Sequence, residues 1–311
     1  MGKRKFHRCI LISVFSAVLT APAYMLTKIV TNTQLDDMSF MAIRYGLIVV
    51  VCLPLVIKYF GKIAKNLRLV LACNVFLMIA GIVHTPAISS STSSYVAIMH
   101  LFSPITFVLL SATLIREKLN TRKIIGITVA FIGAFVMFAL PAITADGTFQ
   151  FYPEATILSF INGVCFGIVM IMWRKINLSG VPIWATMGST FILLAVTTGV
   201  VSVISNGGVE TPLSIVLANP AIPITIAFLS IVVSLISHIM NTEVYEKVGS
   251  TVVAATSYLG KILGIILPIV ILRESLSVHL IGGAIITIIG IVIIDTKPKR
   301  REHIAEVVPF H

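Results

Sequence analysis

In the stretch "SYLGKILGIILPIVILRESL", residues 257 to 276, one ammonium group sits inside an otherwise apolar run. Lys261 lies about 11 residues from either end of the surrounding hydrophobic segment, which at 1.5 Å per helical residue is roughly 16 Å from each end. Its stem is too short to carry the charge that far. An unpaired lysine at the centre of a hydrocarbon layer costs at least ~2.5 kcal/mol, so Lys261 must face a wet cavity, an anion or a carboxylate. On the same helical face stand Tyr258, Ser257 and Ala254, a stripe of polar and small side chains. Such an ammonium can capture a carboxylate or phosphate, or give up a proton. The competing role is a permanent pair with an internal acid, for which Glu243 is the best-placed candidate.

Other polar residues share the apolar context. His84, His100 and His238 are candidate cavity residues, and His100 can also carry a coupling proton, since imidazole titrates near neutral pH. Glu243 is the second coupling candidate. Helix–helix hydrogen bonding is the alternative role for each histidine. Tyr95 and Tyr258 offer aromatic faces to a substrate, whereas Trp173 is expected to anchor at an interface. Arg44, one or two turns inside its segment, could bind an anion, but it is expected rather to snorkel or to bond a neighbouring loop. Glu117 and Glu274 each follow an arginine at a segment end and read as structural pairs. Cys9, Cys52, Cys73 and Cys165 lie in or beside apolar runs with no ligand spacing, so neither a metal nor a cofactor is expected.

The elements that hold these residues are membrane spans. Of 311 residues, 57% are hydrophobic and 11% charged, and the mean hydropathy is +1.04, values too apolar for a water-soluble surface. A hydrocarbon core about 30 Å thick needs roughly 20 apolar residues per helix. Ten such runs are read at 9–31, 38–59, 67–87, 93–115, 121–141, 153–174, 182–205, 220–243, 250–272 and 277–295. Continuous apolarity without a two-residue period selects helices over a barrel. The loop "NGGVETPLSIVLANP" has room for a short re-entrant or interfacial piece. The first run has a basic start and an A-x-A at Ala21 to Ala23, like a signal peptide, but its removal would reverse the charge pattern, so it is expected to be retained. With the N-terminus in the cytoplasm, 19 of the 23 Lys and Arg fall on the cytoplasmic side, which predicts both termini there in a multi-pass plasma (inner) membrane protein. The net charge of +11 therefore sets orientation and does not call for a nucleic-acid partner.

Shifting the chain by 157 residues lays "LIREKLNTRKIIGITVAFIG" on "ILRESLSVHLIGGAIITIIG". Arg116 then meets Arg273, Glu117 meets Glu274, Gly126 meets Gly283 and Gly133 meets Gly290. The glycines of each pair are seven residues apart, two turns on one face, and suit close helix packing. Five spans per unit is an odd number, so the second unit enters the membrane inverted. The predicted fold is all-α and polytopic, ten transmembrane helices in two inverted five-helix repeats, residues 1–145 and 146–311. The same shift pairs His100 with Ser257 and Pro104 with Lys261.

The chain resembles the EamA-type drug/metabolite transporter superfamily through "LTAPAYMLTK", "SFMAIRYGLIVV", "SPITFVLLSATLIREKLNTRKIIGITVAFIGAFV" and "ILPIVILRESLSVHLIGGAIITIIGIVII". The resemblance implies a ten-helix secondary transporter, often an exporter of amino acids or other small metabolites, with a cavity lined by spans one, three, four, six, eight and nine. Two departures stand out: Ala21-Pro22 replaces the usual tryptophan-glycine, and Lys261 replaces the repeat counterpart of Pro104. "YLGKILGIILPIVILRE" is also similar in outline to the ninth span of nucleotide-sugar transporters, without their asparagine before the lysine, which implies an anionic group in the cargo.

No HExxH, serine–base pair or intramembrane aspartate pair suits an enzyme, and no filter-like loop suits a channel. No nucleotide-binding P-loop is present either. The expectation is a secondary exporter or exchanger of an amino-acid-like or carboxylated metabolite, driven by a proton or counter-substrate; the alternative cargo is a nucleotide, sugar nucleotide or other phosphorylated compound. It would work in the lipid bilayer as a monomer or homodimer.

Overall fold

The computed structural model describes residues 3–114, 121–144, 152–274 and 278–295. All regular structure among them is helical, because in hydrocarbon each backbone N–H and C=O must find its partner within the same segment. The first crossing is α1 (Lys3–Thr20) followed by α2 (Ala23–Thr31). The chain bends between them at Pro22, which has no N–H for the Val18 carbonyl; Ala21 N takes that carbonyl instead, at 3.2 Å. Next come α3 (Asp37–Lys58), the short basic α4 (Phe60–Lys65) and α5 (Leu67–Ser89).

The fourth predicted span is broken. It runs as α6 (Ser93–Met99), a 3-10 turn (His100–Phe102) and α7 (Ser103–Leu114). Pro104 leaves the His100 carbonyl without its helical donor, and the Ser103 hydroxyl donates to it at 2.9 Å. Then follow α8 (Thr121–Thr144), α9 (Pro153–Leu178), α10 (Ile183–Thr190) and α11 (Ile192–Asn206). The loop flagged for a short extra element holds α12 (Glu210–Ala218). The eighth predicted span is α13 (Ala221–Ala227), a π-helical segment (Phe228–Ile236) and α14 (Ser237–Val248), and α15 (Ser250–Ile271) and α16 (Val278–Asp295) complete the described chain.

Among the described residues six stretches are long and apolar enough to cross a membrane: Phe6–Thr31, Asp37–Lys58, Leu67–Ser89, Pro153–Leu178, Ile183–Asn206 and Ala221–Val248. Shorter apolar stretches run Leu259–Ile271 and Ile281–Gly290. Leu11, Val50, Ile204 and Val270 stand exposed on the outside, where hydrocarbon rather than water is the compatible neighbour. This is an all-α, multi-spanning membrane fold. Inside it, Trp173, Tyr245, Phe40 and Phe191 are fully buried.

The glycine pattern packs α8 against α16. A Cβ on Gly133 would lie 2.5 Å from the Thr287 nitrogen and 2.7 Å from the Gly283 oxygen, and one on Gly290 would lie 2.6 Å from the Gly126 oxygen. Thr287 Oγ1 donates to the Ala130 carbonyl at 3.4 Å. Residue numbers thus rise on one helix as their partners fall on the other, and the two helices run antiparallel.

At one end of the bundle Asp36 caps α3, accepting from the backbone N–H of Met38 at 3.0 Å and of Ser39 at 2.9 Å, and from the Asn206 amide at 2.9 Å. Burial pushes this carboxyl up, but the hydrogen bonds from Ser39, Asn206 and Met38 outweigh it and hold the group below the usual carboxylate range. A folded value below the unfolded one means stability that is present above about pH 4 and is lost as pH falls through the folded value.

Two stability predictions follow from this packing. Gly133→Ala and Gly290→Ala force backbone apart and should lower the detergent unfolding midpoint by the equivalent of about 1–3 kcal/mol, while Gly46→Ala, which meets nothing within 4 Å, leaves it unchanged or slightly raised. Asp36→Ala should cost about 0.5–2 kcal/mol at neutral pH, and its difference from wild type should shrink in unfolding scans taken toward acid.

Candidate functional site

The helix breaks surround a central cavity of about 230 Å³. Lys261 reaches it from the unbroken α15, Arg44 from α3, His84 from α5, His100 from the 3-10 turn and His238 from the first turn of α14. Tyr24, beside the Pro22 bend, faces the same space. Asn162, Asn241, Ser234 and Ser257 add neutral polar groups, and among the described residues no Asp or Glu lines the wall.

His84 and His100 stack at 5.3 Å between ring centroids, 13° from parallel. Tyr24 leans on both, at 6.1 and 5.5 Å, and its hydroxyl is 3.0 Å from His100 Nδ1, the direction of donation following the His100 tautomer. His84 Nδ1 and His100 Nε2 are buried with no hydrogen-bond partner. An orphaned buried polar atom is destabilising by roughly 1–3 kcal/mol, so the two imidazoles are poised for a ligand or water. His238 sits between Phe166 and Trp173, at 5.1 and 5.3 Å.

Arg44 departs from expectation. Instead of reaching a membrane edge or a loop, it is 5% exposed in the interior. Nη2 donates to Ser234 on the π-helical segment at 3.0 Å, and the guanidinium lies over the rings of Phe40 and Tyr45, at 5.7 and 5.4 Å. These rings, with Ser234, hold the side chain inward. The Ser237 backbone N–H reaches the Val232 carbonyl five residues back, which is the π spacing, and Ser237 Oγ donates to the same carbonyl at 3.0 Å. Such segments widen a helix and recur at functional sites.

The structure brings Lys261, Ser257, His84, His100 and His238 to one cavity. It does not bring Glu243 or Tyr95. Glu243 is half exposed and 3.6 Å from Lys247, one turn along its own helix, so Lys261 has no carboxylate partner among the described residues. Tyr95 is buried off the cavity, its hydroxyl 2.6 Å from Thr156 Oγ1 and its ring edge-on to Tyr152. Trp173 is not an interface anchor but fully buried, with its indole N–H donating to Thr190 Oγ1 at 3.0 Å. Glu274 was expected to pair with its arginine neighbour; its two oxygens instead accept the N–H groups of Ser93 and Ser94, at 3.0 and 2.8 Å, at the start of α6, where helix-end donors favour an anion. The side chains of Tyr258 and Pro104, and Glu117 as a whole, lie outside the described residues. Tyr24, Asn162 and Asn241 were not anticipated. Asn241 was within reach, because the 157-residue shift pairs it with His84.

Residues 7–139 match the model of the EamA-like transporter family, so this part of the chain carries an EamA-like domain. A solved protein crystal structure is similar over 92% of this chain and 96% of its own, with TM-score 0.59 and 17% identity, and so shares the fold. No curated protein matches. Among the described residues no group of three His, Cys, Asp or Glu could hold a metal. The family matched over this part of the chain is one of transporters.

The Tyr24–His100 contact can be tested by a double-mutant cycle. Tyr24→Phe and His100→Leu should each destabilise the purified protein by about 1–3 kcal/mol, and the double variant should lose at least about 0.5 kcal/mol less than their sum, as read by unfolding midpoints; additivity would mean the contact is not made.

Proposed function

We propose that the protein carries a compact organic anion across the plasma membrane by alternating access, with Lys261 reading an acidic group of the cargo. The observation that carries this reading is a central cavity with a lysine, an arginine and three histidines on its wall and no carboxylate among the described residues. A buried lysine without an acid is stabilised when the cargo supplies the negative charge. A carboxylated metabolite suits the site better than an amino acid, whose ammonium would find no acid there. Cavities for drug-sized ligands are roughly 300–1,000 Å³, so about 230 Å³ favours a small cargo over a sugar nucleotide. A small phosphorylated compound is the second reading, favoured by the Arg44 guanidinium, whose fork suits phosphate.

In this proposal ten crossings form two inverted five-helix units, 1–145 and 146–311, with both termini cytoplasmic. Support comes from packing that exchanges when the halves are exchanged. α1 packs on α15 as α9 packs on α7, and α5 packs on α9 as α14 packs on α1. α3 with α11, and α8 with α16, are their own counterparts. Halves related in this way rock about a shared central site. Tyr24 and His100 are better placed than the exposed Glu243 to link a proton to the cargo, and exchange against a counter-substrate remains the other drive of the same cycle.

The test is uptake of labelled mono- and dicarboxylates by liposomes under imposed pH gradients. Lys261→Met should lower uptake at least about tenfold, the scale of one lost charge-assisted hydrogen bond, and Lys261→Arg should retain part of it. Full transport by Lys261→Met would remove this lysine from the mechanism.

A further inference from the structure

Arg44 carries more hydrogen-bonding capacity than the protein uses. Its Nη2 is satisfied by Ser234, but Nε and Nη1 are buried without any partner, on a side chain 95% removed from solvent contact that lines the cavity. A guanidinium buried without an anion is strongly unfavourable, and ring faces recover only part of the loss. What Phe40, Tyr45 and Ser234 do supply is a fixed position, so the guanidinium is held at the cavity wall before anything binds.

Lys261 is the other fixed cation of the cavity. It approaches on α15, beside the stacked His84 and His100, while Arg44 approaches on α3, beside the π-helical segment. His84 lies within electrostatic reach of both cations. The two are cationic poles on the wall of one cavity, reached from different helices, and no carboxylate from the described wall neutralises either one.

We infer that Arg44 is a second acid-reading group and that the cargo is a short bis-acid, with one carboxylate on the Arg44 fork and the other on Lys261. This rests on the anion-carrier reading above and narrows it. A monocarboxylate would leave one cation unpaired, whereas a short dicarboxylate offers an acid to each. On the same wall, Tyr24, the imidazoles and the Asn162 and Asn241 amides suit a short, uncharged linker.

The experiment is equilibrium binding to the purified full-length protein, using the ladder of dicarboxylates from succinate to suberate, the monoamide of each, butyrate and inorganic phosphate. One member of the ladder should bind roughly 10- to 100-fold more tightly than its own monoamide, the scale of one hydrogen-bonded charge. Arg44→Met should bring that dicarboxylate down to the monoamide level, and Arg44→Lys, which keeps the charge and so guards against misfolding, should give an intermediate ratio. The wild-type comparison of acid with monoamide stands even if Arg44→Met fails to fold. Equal binding of dicarboxylate and monoamide, with Lys261→Met abolishing both, would overturn the second pole and leave the anion carrier standing. Phosphate binding that needs both cations would also overturn it, since the poles would then converge on one group. Absence of any carboxylate or phosphate binding by folded protein would end both readings.

Discussion

Positive charge enclosed in an apolar bundle without internal acid is the constraint on which the rest of this structure depends. Lys261 and Arg44 are both held in the interior, and the described cavity wall offers them hydroxyls, amides, imidazoles and ring faces but no carboxylate. Had Glu243 turned inward, the lysine would have been neutralised and the site would read as a structural ion pair. Instead Glu243 sits beside Lys247 in an exposed position, where such pairs contribute little. The unpaired state is tolerable only because the cavity admits polar matter, and that requirement links the electrostatics to the shape of the surrounding helices.

That shape comes from interrupted helices. Pro22 bends the first crossing next to Tyr24, Pro104 breaks the fourth next to His100, and the π-helical segment shifts the register of the eighth so that Ser234 meets Arg44. Each interruption frees backbone groups, which side chains or neighbouring residues take up: Ser103 for the His100 carbonyl, Ala21 for the Val18 carbonyl, Ser237 for the Val232 carbonyl. Irregular backbone at membrane depth is tolerated where it lines a cavity. The breaks and the cavity thus explain each other, and the glycine seam between α8 and α16, remote from the site, stays regular.

Much of this was readable before any coordinates. Hydropathy read the chain as a multi-spanning helical protein, the seven-residue glycine spacing marked Gly133 and Gly290 for close packing, depth in an apolar run singled out Lys261, and the 157-residue shift drew attention to His100. The failures share a physical cause. Depth says whether a charge is buried but not which way its helix faces, so Tyr95 was drawn toward the cavity and Arg44 away from it. Glu243 was chosen by span membership, although about half a turn of α14 separates it from the cavity-lining Asn241. Trp173 was placed by its residue type, and its partner Thr190 comes from a helix that sequence could not set beside it. The π turn leaves no mark in apolar periodicity, so the meeting of Ser234 with Arg44 had no sequence signal at all.

On the proposed two-unit reading, the repeat also separates what is symmetric in this protein from what is selective. Positions that hold the helices together match across the halves, as Gly126 and Gly133 match Gly283 and Gly290. Positions that line the cavity differ: His84 answers to Asn241 and His100 to Ser257, while Lys261 has Pro104 as its counterpart in the sequence shift. A carrier that presents one site to two sides needs interchangeable scaffolds, because both arrangements must be of similar energy. Its cargo is not symmetric in the same sense and must be read by particular groups. At the last of these positions the two demands meet: one half uses the place for the proline that interrupts a helix and frees the His100 carbonyl, and the other keeps its helix intact and uses the same place for the charge.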